Sequence, residues 1–397
     1  MAKAVAMSNF LQLALILAAF VALAKAGGYI SLRLGQPSVL GEIIVGILLG
    51  PTLFDVLHWA PFTDNHLGEV VAELAELGVL LLMFLAGLEL HLGELAKSGR
   101  VSALAGTLGV LFPVLLGFGA GMLFRMPLES ALFVGLILAA TSVSISAQTL
   151  MEMGYLRTRV GLGLLGAAVF DDVLVVLLLS VMIALFGEAS AGLAGVGLVV
   201  LRMAGYLAVA GAIGLLLLPR IAQRMDGLPI SQGLVAAAIV ITLLYAWAAE
   251  VVGGMAAITG AFLAGLFLAR SPLRDRIEAG IAALAYGLFV PIFFINVGLS
   301  ANLRELLGAS LWLALALIVI AVISKLLGAG LGARLAGFSK LESLQLGAGM
   351  ISRGEVGLIV ATLGVSQGFI GGEIFSSAVG VVIATTLITP LLLRSLF

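Results

Sequence analysis

The 397-residue chain has no cysteine. Disulfides, thiolate metal sites and thiol chemistry are therefore excluded. Charge is scarce as well: Asp, Glu, Lys and Arg make up 10% of the residues, against roughly 25% in a soluble domain. With 62% hydrophobic residues and a mean hydropathy of +1.25, a soluble fold would have nothing to cover its surface. A net charge of −1 offers no footprint for nucleic acid. Histidine occurs three times, and no His cluster, HExxH pattern or Gly-rich phosphate loop appears. ATP-driven transport and intramembrane metalloproteolysis lack support, and the chain reads as a non-enzyme without a cofactor.

What is present is a series of apolar blocks, each about 18–25 residues long, the length that spans a hydrocarbon core of roughly 30 Å. Breaks at charges, Gly and Pro predict helices over 9–27, 38–50, 67–90, 101–124, 129–153, 161–186, 196–219, 230–252, 254–269, 277–297, 309–335, 343–366 and 373–393. The second is short, and the eighth and ninth are divided only by Gly253-Gly254. The expected fold class is an all-α polytopic membrane protein of about thirteen helices embedded in a lipid bilayer. Fifty-one glycines suit close helix packing there. The helices take up nearly the whole sequence, leaving no room for a cytosolic regulatory domain.

Fourteen Lys and Arg fall at one set of helix ends, among them Lys25, Arg33, Lys97, Arg157, Arg274 and Arg394. Four fall at the other: Lys3, Arg125, Arg202 and Arg304. The rich side is expected to be cytoplasmic, with the N-terminus outside and the C-terminus inside. The loop with Asp55, His58, Asp64, His66 and Glu69 lies on the predicted outside, where its two histidines need be no more than solvated. Glu42 sits early in the short second helix. Glu89 and His91 close the third at its cytoplasmic end and read as helix-end charges.

Charges at membrane depth need a partner and usually a job. Asp171-Asp172, in GAAVFDDVLVVLLLS, lies in the first third of the sixth helix. Adjacent helical residues point about 100° apart, so one carboxylate can meet a partner helix while the other faces a cavity. Two such groups resist double ionisation, and a proton and a metal cation then compete for one site. That competition is the minimum chemistry of an antiporter. Lys325, in VIAVISKLLGAG, is mid-helix and must pair with a carboxylate or lose its proton; either aspartate could be the partner. In MISRGEVGLIVATLG, Ser352, Arg353, Gly354 and Glu355 interrupt the twelfth helix and suggest an unwound stretch. Arg353 and Glu355 could neutralise one another or the exposed helix ends. Thr141, Ser142, Ser144 and Ser146 crowd into residues 140–148 and suggest a second break, in the fifth helix. Interrupted helices at corresponding places in two halves point to inverted repeats around a midplane site.

These residues resemble the monovalent cation:proton antiporter-2 family, and within it the bacterial NapA-type sodium/proton antiporters. The resemblance covers essentially the whole chain. It rests on LGQPSVLGEIIVGILLGP (34–51), ELGVLLLMFLAGLEL (76–90), LAATSVSISAQTL (138–150), GAAVFDDVLVVLLL (166–179), PIFFINVGL (291–299), ISKLLGAGLGA (323–333) and MISRGEVGLIVA (350–361). The aspartate pair after GAAV and the RGEVGL stretch are specific; the QP…GE…GP stretch is shared more widely.

The resemblance implies a sodium/proton antiporter fold with two broken helices crossing near the ion site. It implies a dimerisation domain (about 1–60 and 196–270), a moving core domain (about 67–186 and 277–397), an elevator-like motion and a homodimer. By position, Asp172 corresponds to the principal cation- and proton-binding carboxylate, and Asp171 to the neighbour that pairs with Lys325. Thr141 and Ser142 could complete the cation shell, with Ser144, Arg353 and Glu355 supporting the crossovers. Asp-Asp together with Lys325 implies electrogenic exchange of sodium or lithium for protons, serving pH homeostasis at the bacterial inner membrane. A potassium/proton exchanger of the same family is the alternative.

Overall fold

Every apolar block becomes helix, because backbone polar groups in hydrocarbon find partners only inside the segment. The computed structural model describes residues 7–60, 62–90, 98–186, 192–227, 229–300 and 311–397. His91, Lys97, Arg304, Lys3 and the side chain of Glu355 lie outside the described residues. The helices are α1 (Asn9–Arg33), α2 (Ser38–Leu49), α3 (Leu67–Leu88), α4 (Gly99–Leu123), α5 (Leu128–Ala139), α6 (Val143–Glu152), α7 (Arg159–Phe186), α8 (Gly192–Leu216) and α9 (Leu218–Asp226). They continue as α10 (Gly233–Ala248), α11 (Ala257–Leu268), α12 (Arg274–Leu284), α13 (Val290–Leu299), α14 (Leu311–Leu335), α15 (Lys340–Gly349), α16 (Glu355–Ser366) and α17 (Gly372–Leu396). A π-helical turn, Ala249–Gly253, prolongs α10, and another, Ala285–Phe289, fuses α12 to α13. Among the described residues, ten continuous or broken helices are long and apolar enough to cross a membrane. Three shorter apolar ones, Ser38–Leu49, Ala257–Leu268 and Val356–Val365, complete the expected thirteen.

Two local differences from the sequence reading have physical causes. The first helix continues past Gly27-Gly28 to Arg33. These glycines are contact points and do not end the helix: a Cβ on Gly27 would lie 2.8 Å from Gly41 O on α2. The stretch after the seventh helix, read as loop, is α9. Pro219 starts a new helix there, with Leu218 and Ala222 buried and Arg220 and Arg224 on the polar side. The split at Gly253-Gly254 is real, because Gly254 adopts φ +64°, a conformation open to glycine.

Backbone-to-backbone contacts through glycine sort the helices into two bodies. In one, a Cβ on Gly328 or Gly332 of α14 would meet Leu108 O or Leu104 O of α4 at 2.3–2.4 Å, and Gly117 meets Gly135 across α4 and α5. This inner body comprises α4–α7 and α14–α17. In the other, Gly87 and Gly265 bring α3 against α11, and Gly46 and Gly298 bring α2 against α13. This flanking body comprises α1–α3 and α8–α13. Among the described glycines, every site where an added Cβ would fall within 3.0 Å of another residue lies inside one body. α3 and α12–α13, which the resemblance groups with the core domain, here interlock with α2 and α11.

Polar links between the bodies gather at the Lys/Arg-rich end. Ser38 N and Oγ donate to Glu152 at 2.6 and 2.5 Å, Arg394 Nε donates to Gly35 O at 3.0 Å, and Arg157 Nε lies 3.8 Å from Glu89.

A candidate ion site between two broken helices

The two expected interruptions are present, and they touch. Ala140–Ser142 is extended between α5 and α6, and 351–354 is irregular between α15 and α16. Ser142 N donates to Ser352 O at 2.8 Å, one break completing the other. A Cβ on Gly354 would lie 2.6 Å from Ser142 Oγ, so only glycine allows this approach. Ser146 Oγ donates to Gly349 O at 2.6 Å, and Ser142 and Ser144 share a hydroxyl contact of 3.0 Å. From α17, Thr386 Oγ1 donates to Arg353 O at 2.7 Å and Thr385 Oγ1 accepts from Arg353 N at 3.2 Å. Residues 140–142 and 351–354 are all buried, so these unwound stretches are shielded from lipid, the condition under which irregular backbone is tolerated at membrane depth.

Arg353 is fully buried. Its guanidinium donates to Leu138 O at 2.7 Å, to Ala321 O at 3.0 Å and to Ile351 O. It therefore caps the carbonyl end of α5 and of the second break, where a cation opposes the negative ends of the helix dipoles. These contacts are the helix-end role considered for it; the other, a pair with Glu355, falls outside the described residues.

α7 carries the aspartate pair past these breaks. Asp171 and Lys325 are both fully buried, with Nζ 2.6 Å from Oδ1. Lys325 reaches Asp171 because α4 and α14 pack glycine to backbone beside it. Thr141 lies next to this carboxylate, while its hydroxyl donates to Ala139 O at 3.4 Å. The Asp171 Oδ2 atom is buried without a partner of hydrogen-bond geometry among the described residues. Asp172 points elsewhere, onto a cavity of about 10 Å³ walled by Met83 of α3, Val143 of α6, and Ile258, Thr259 and Phe262 of α11. That is space for about one water. Thr259 Oγ1 donates to Asp172 Oδ2 at 3.2 Å.

The structure thus brings together Asp171, Lys325 and Thr141, and sets Asp172 beside them on a separate face. Ser142, Ser144 and Arg353 belong to the crossing. Thr259, Thr385 and Thr386 escaped the sequence reading. The Thr-Thr step in IATTLITP was a legible signal; Thr259 was one hydroxyl in an apolar run. Elsewhere Lys25 approaches Glu42 at 3.7 Å, His58 bonds Asp55 in the loop before α3, and His66 bonds Glu69 in the first turn of α3.

Comparison with known proteins shows the family and the fold. Residues 15–397 match the family described as "Sodium/hydrogen exchanger, transmembrane". The chain is 42% identical over 389 residues to the Na(+)/H(+)-K(+) antiporter GerN of Bacillus cereus, covering 98% of this chain and 96% of that one. It is 35% identical to the Na(+)/H(+) antiporter of Enterococcus hirae (93% and 94% covered). It is 32% identical to the high-affinity Na(+)/H(+) antiporter NhaS3 of Synechocystis (94% and 87%). Among solved structures, the sodium proton antiporter MjNhaP1 of Methanocaldococcus jannaschii superposes with a TM-score of 0.70 at 18% identity, covering 98% of this chain and 96% of that one, and so shares the fold. A multi-pass membrane chain with this crossing of broken helices, matched from end to end by exchangers, belongs to the sodium/hydrogen exchanger family and is a cation/proton antiporter, not an enzyme.

Proposed function

We propose that this antiporter exports cytoplasmic sodium or lithium in exchange for external protons, with Asp172 as the carboxylate the two ions share. The observation that carries this reading is the division of labour in the aspartate pair. Asp171 is held by Lys325 at 2.6 Å, while Asp172 opens on a cavity the size of one small ion. Sodium is a hard cation, suited by carboxylate, hydroxyl, carbonyl and water oxygens. Asp171, Asp172 and the crossing near Thr141 and Ser142 supply oxygens of these kinds.

Facing the cytoplasm, Asp172 gives up its proton and takes the cation. The cation also draws on Asp171, loosening its pair with Lys325, which can then release a second proton. The inner body slides past the flanking body and releases the cation outside, where protons reload the site. Two protons inward for one cation outward moves net charge, so the exchange is electrogenic. Support for sliding comes from the glycine contacts, which lock each body internally and leave the seam between them free of such locks. Charge asymmetry supports an inner-membrane orientation with the N-terminus outside, and the links at Glu152, Arg394 and Arg157 then close the cytoplasmic side. From the other side, α3 presents exposed Glu69, Glu73 and Glu76 on the face that ends in Met83 at the cavity. The flanking body serves as the dimerisation surface of a homodimer.

A second reading, potassium/proton exchange at the same site, is favoured by one observation: GerN, 42% identical, is a Na(+)/H(+)-K(+) antiporter. Liposomes with an internal pH dye separate the two. Sodium or lithium should drive proton movement in the wild type, more strongly with membrane potential, and not in Asp172→Asn. A response to potassium alone supports the second reading, and full activity in Asp172→Asn refutes both.

A further inference from the structure

We infer that Thr259 is a positioning residue that the flanking body lends to the ion site: its hydroxyl holds the empty Asp172 carboxylate and lets go when a cation or proton arrives. The inference rests on the reading of Asp172 as the ion-binding group.

Helical threonines in this protein usually spend their hydroxyl on their own helix. Thr149, Thr242, Thr385 and Thr389 each donate to the carbonyl four residues back, at 2.7–2.8 Å. Thr259 has no such carbonyl. It stands in the first turn of α11, three residues past the break at Gly254–Ala256, so position 255 lies outside the helix. Its hydroxyl, 3% exposed as a residue, turns outward and reaches Asp172 Oδ2 at 3.2 Å. The break between α10 and α11 thus places a donor at the depth of the ion site, whereas the other links between the bodies described above lie at the helix ends.

Two roles are open to such a hydroxyl: ligand of the cation, or occupant of the empty site. Thr259 belongs to the body the site slides past. A ligand there would have to be left behind at every transit, so the shell that travels with the ion should come from the inner body. The cavity has room for about one water-sized occupant, and a cation taking Asp172 Oδ2 displaces the hydroxyl. An unloaded carboxylate is therefore tethered to the flanking body and a loaded one is not. That difference keeps the empty carrier from crossing, the condition for tight exchange.

Thr259→Val keeps the shape and removes the donor. In liposomes the apparent KM for sodium should fall about threefold to tenfold, the factor a single hydrogen bond represents. Sodium efflux into sodium-free alkaline medium should outrun proton uptake, and Thr259→Ser should restore both readouts. A raised KM would make Thr259 a cation ligand, and an unchanged KM without leak would make it packing; either result overturns the inference. Should the valine variant fail to transport, the sodium concentration that half-stabilises it in detergent decides. A lower value than wild type supports the tether, and an equal or higher one refutes it. Asp172→Asn, run alongside, keeps the two claims apart. If it is inactive while Thr259→Val behaves as wild type, only the tether fails; if it still exchanges, the reading of the site fails.

Discussion

Lys325 and Asp171 are shut away from the surface. With both side chains fully buried and 2.6 Å apart, each is the other's compensation, and removing one leaves an uncompensated charge, a loss of about 3–5 kcal/mol in measured cases. Lys325→Ala should therefore lower the unfolding temperature in detergent by many degrees. Adding Asp171→Asn should recover most of the loss, because both charges are then gone; a double variant no better than the single would show that the pair is not the stabilising unit. The cap at Glu342 carries a pH dependence of its own. Ser339 and Glu342 form a reciprocal cap at the start of α15, with Ser339 N donating to Glu342 Oε2 at 2.7 Å. The backbone hydrogen bond from Ser339 is the main cause holding the Glu342 carboxyl below its ordinary value of 4.5, helped by Arg159 at 3.8 Å. A depressed carboxyl contributes stability that is complete above its unfolded value and disappears as pH falls through the folded one. The stability difference between wild type and Glu342→Gln, followed by thermal unfolding, should be constant near neutrality and shrink only below about pH 4.5.

At the scale of elements, most of the architecture was legible, and so were the reasons. Apolar block length predicts the spans, and polar residues at 140–148 and 352–355 predict the breaks, because each rests on the price of exposing backbone or charge to lipid. Lys325 was legible from its own surroundings only as a paired residue; the resemblance named Asp171, and the fold supplies the reason, which side of α7 faces α14. Glycine was the ambiguous letter. At Gly254 it ends a helix, whereas at Gly27 it admits a neighbouring backbone, and a sequence of single residues does not distinguish the two. The grouping of α3 with α11 was hidden for the same reason, since Gly87 and Gly265 acquire meaning only opposite Phe262 and Phe84. Thr259 stayed invisible because its partner lies 87 residues away.

At the scale of the molecule, two bodies meet along a seam whose polar links described above, Thr259 to Asp172 apart, sit at one end. The chain has no native cysteine, so Ser38→Cys with Glu152→Cys makes a unique pair across that seam. Joining them with a short bis-maleimide should halt exchange while leaving each single-cysteine variant active; continued exchange in the linked protein would show that this end does not open during transport. The seam is not the only boundary that counts. α2 has twelve residues, a length of roughly 18 Å, beside a hydrocarbon layer of about 30 Å. Its Ile44 and Leu48 are exposed on the outer surface. The apolar girdle of the protein is therefore pinched at one point on its circumference. A bilayer that thins to meet this short span stores strain that grows with acyl-chain length, which would make the thickness of the host membrane a silent participant in how fast this carrier turns over.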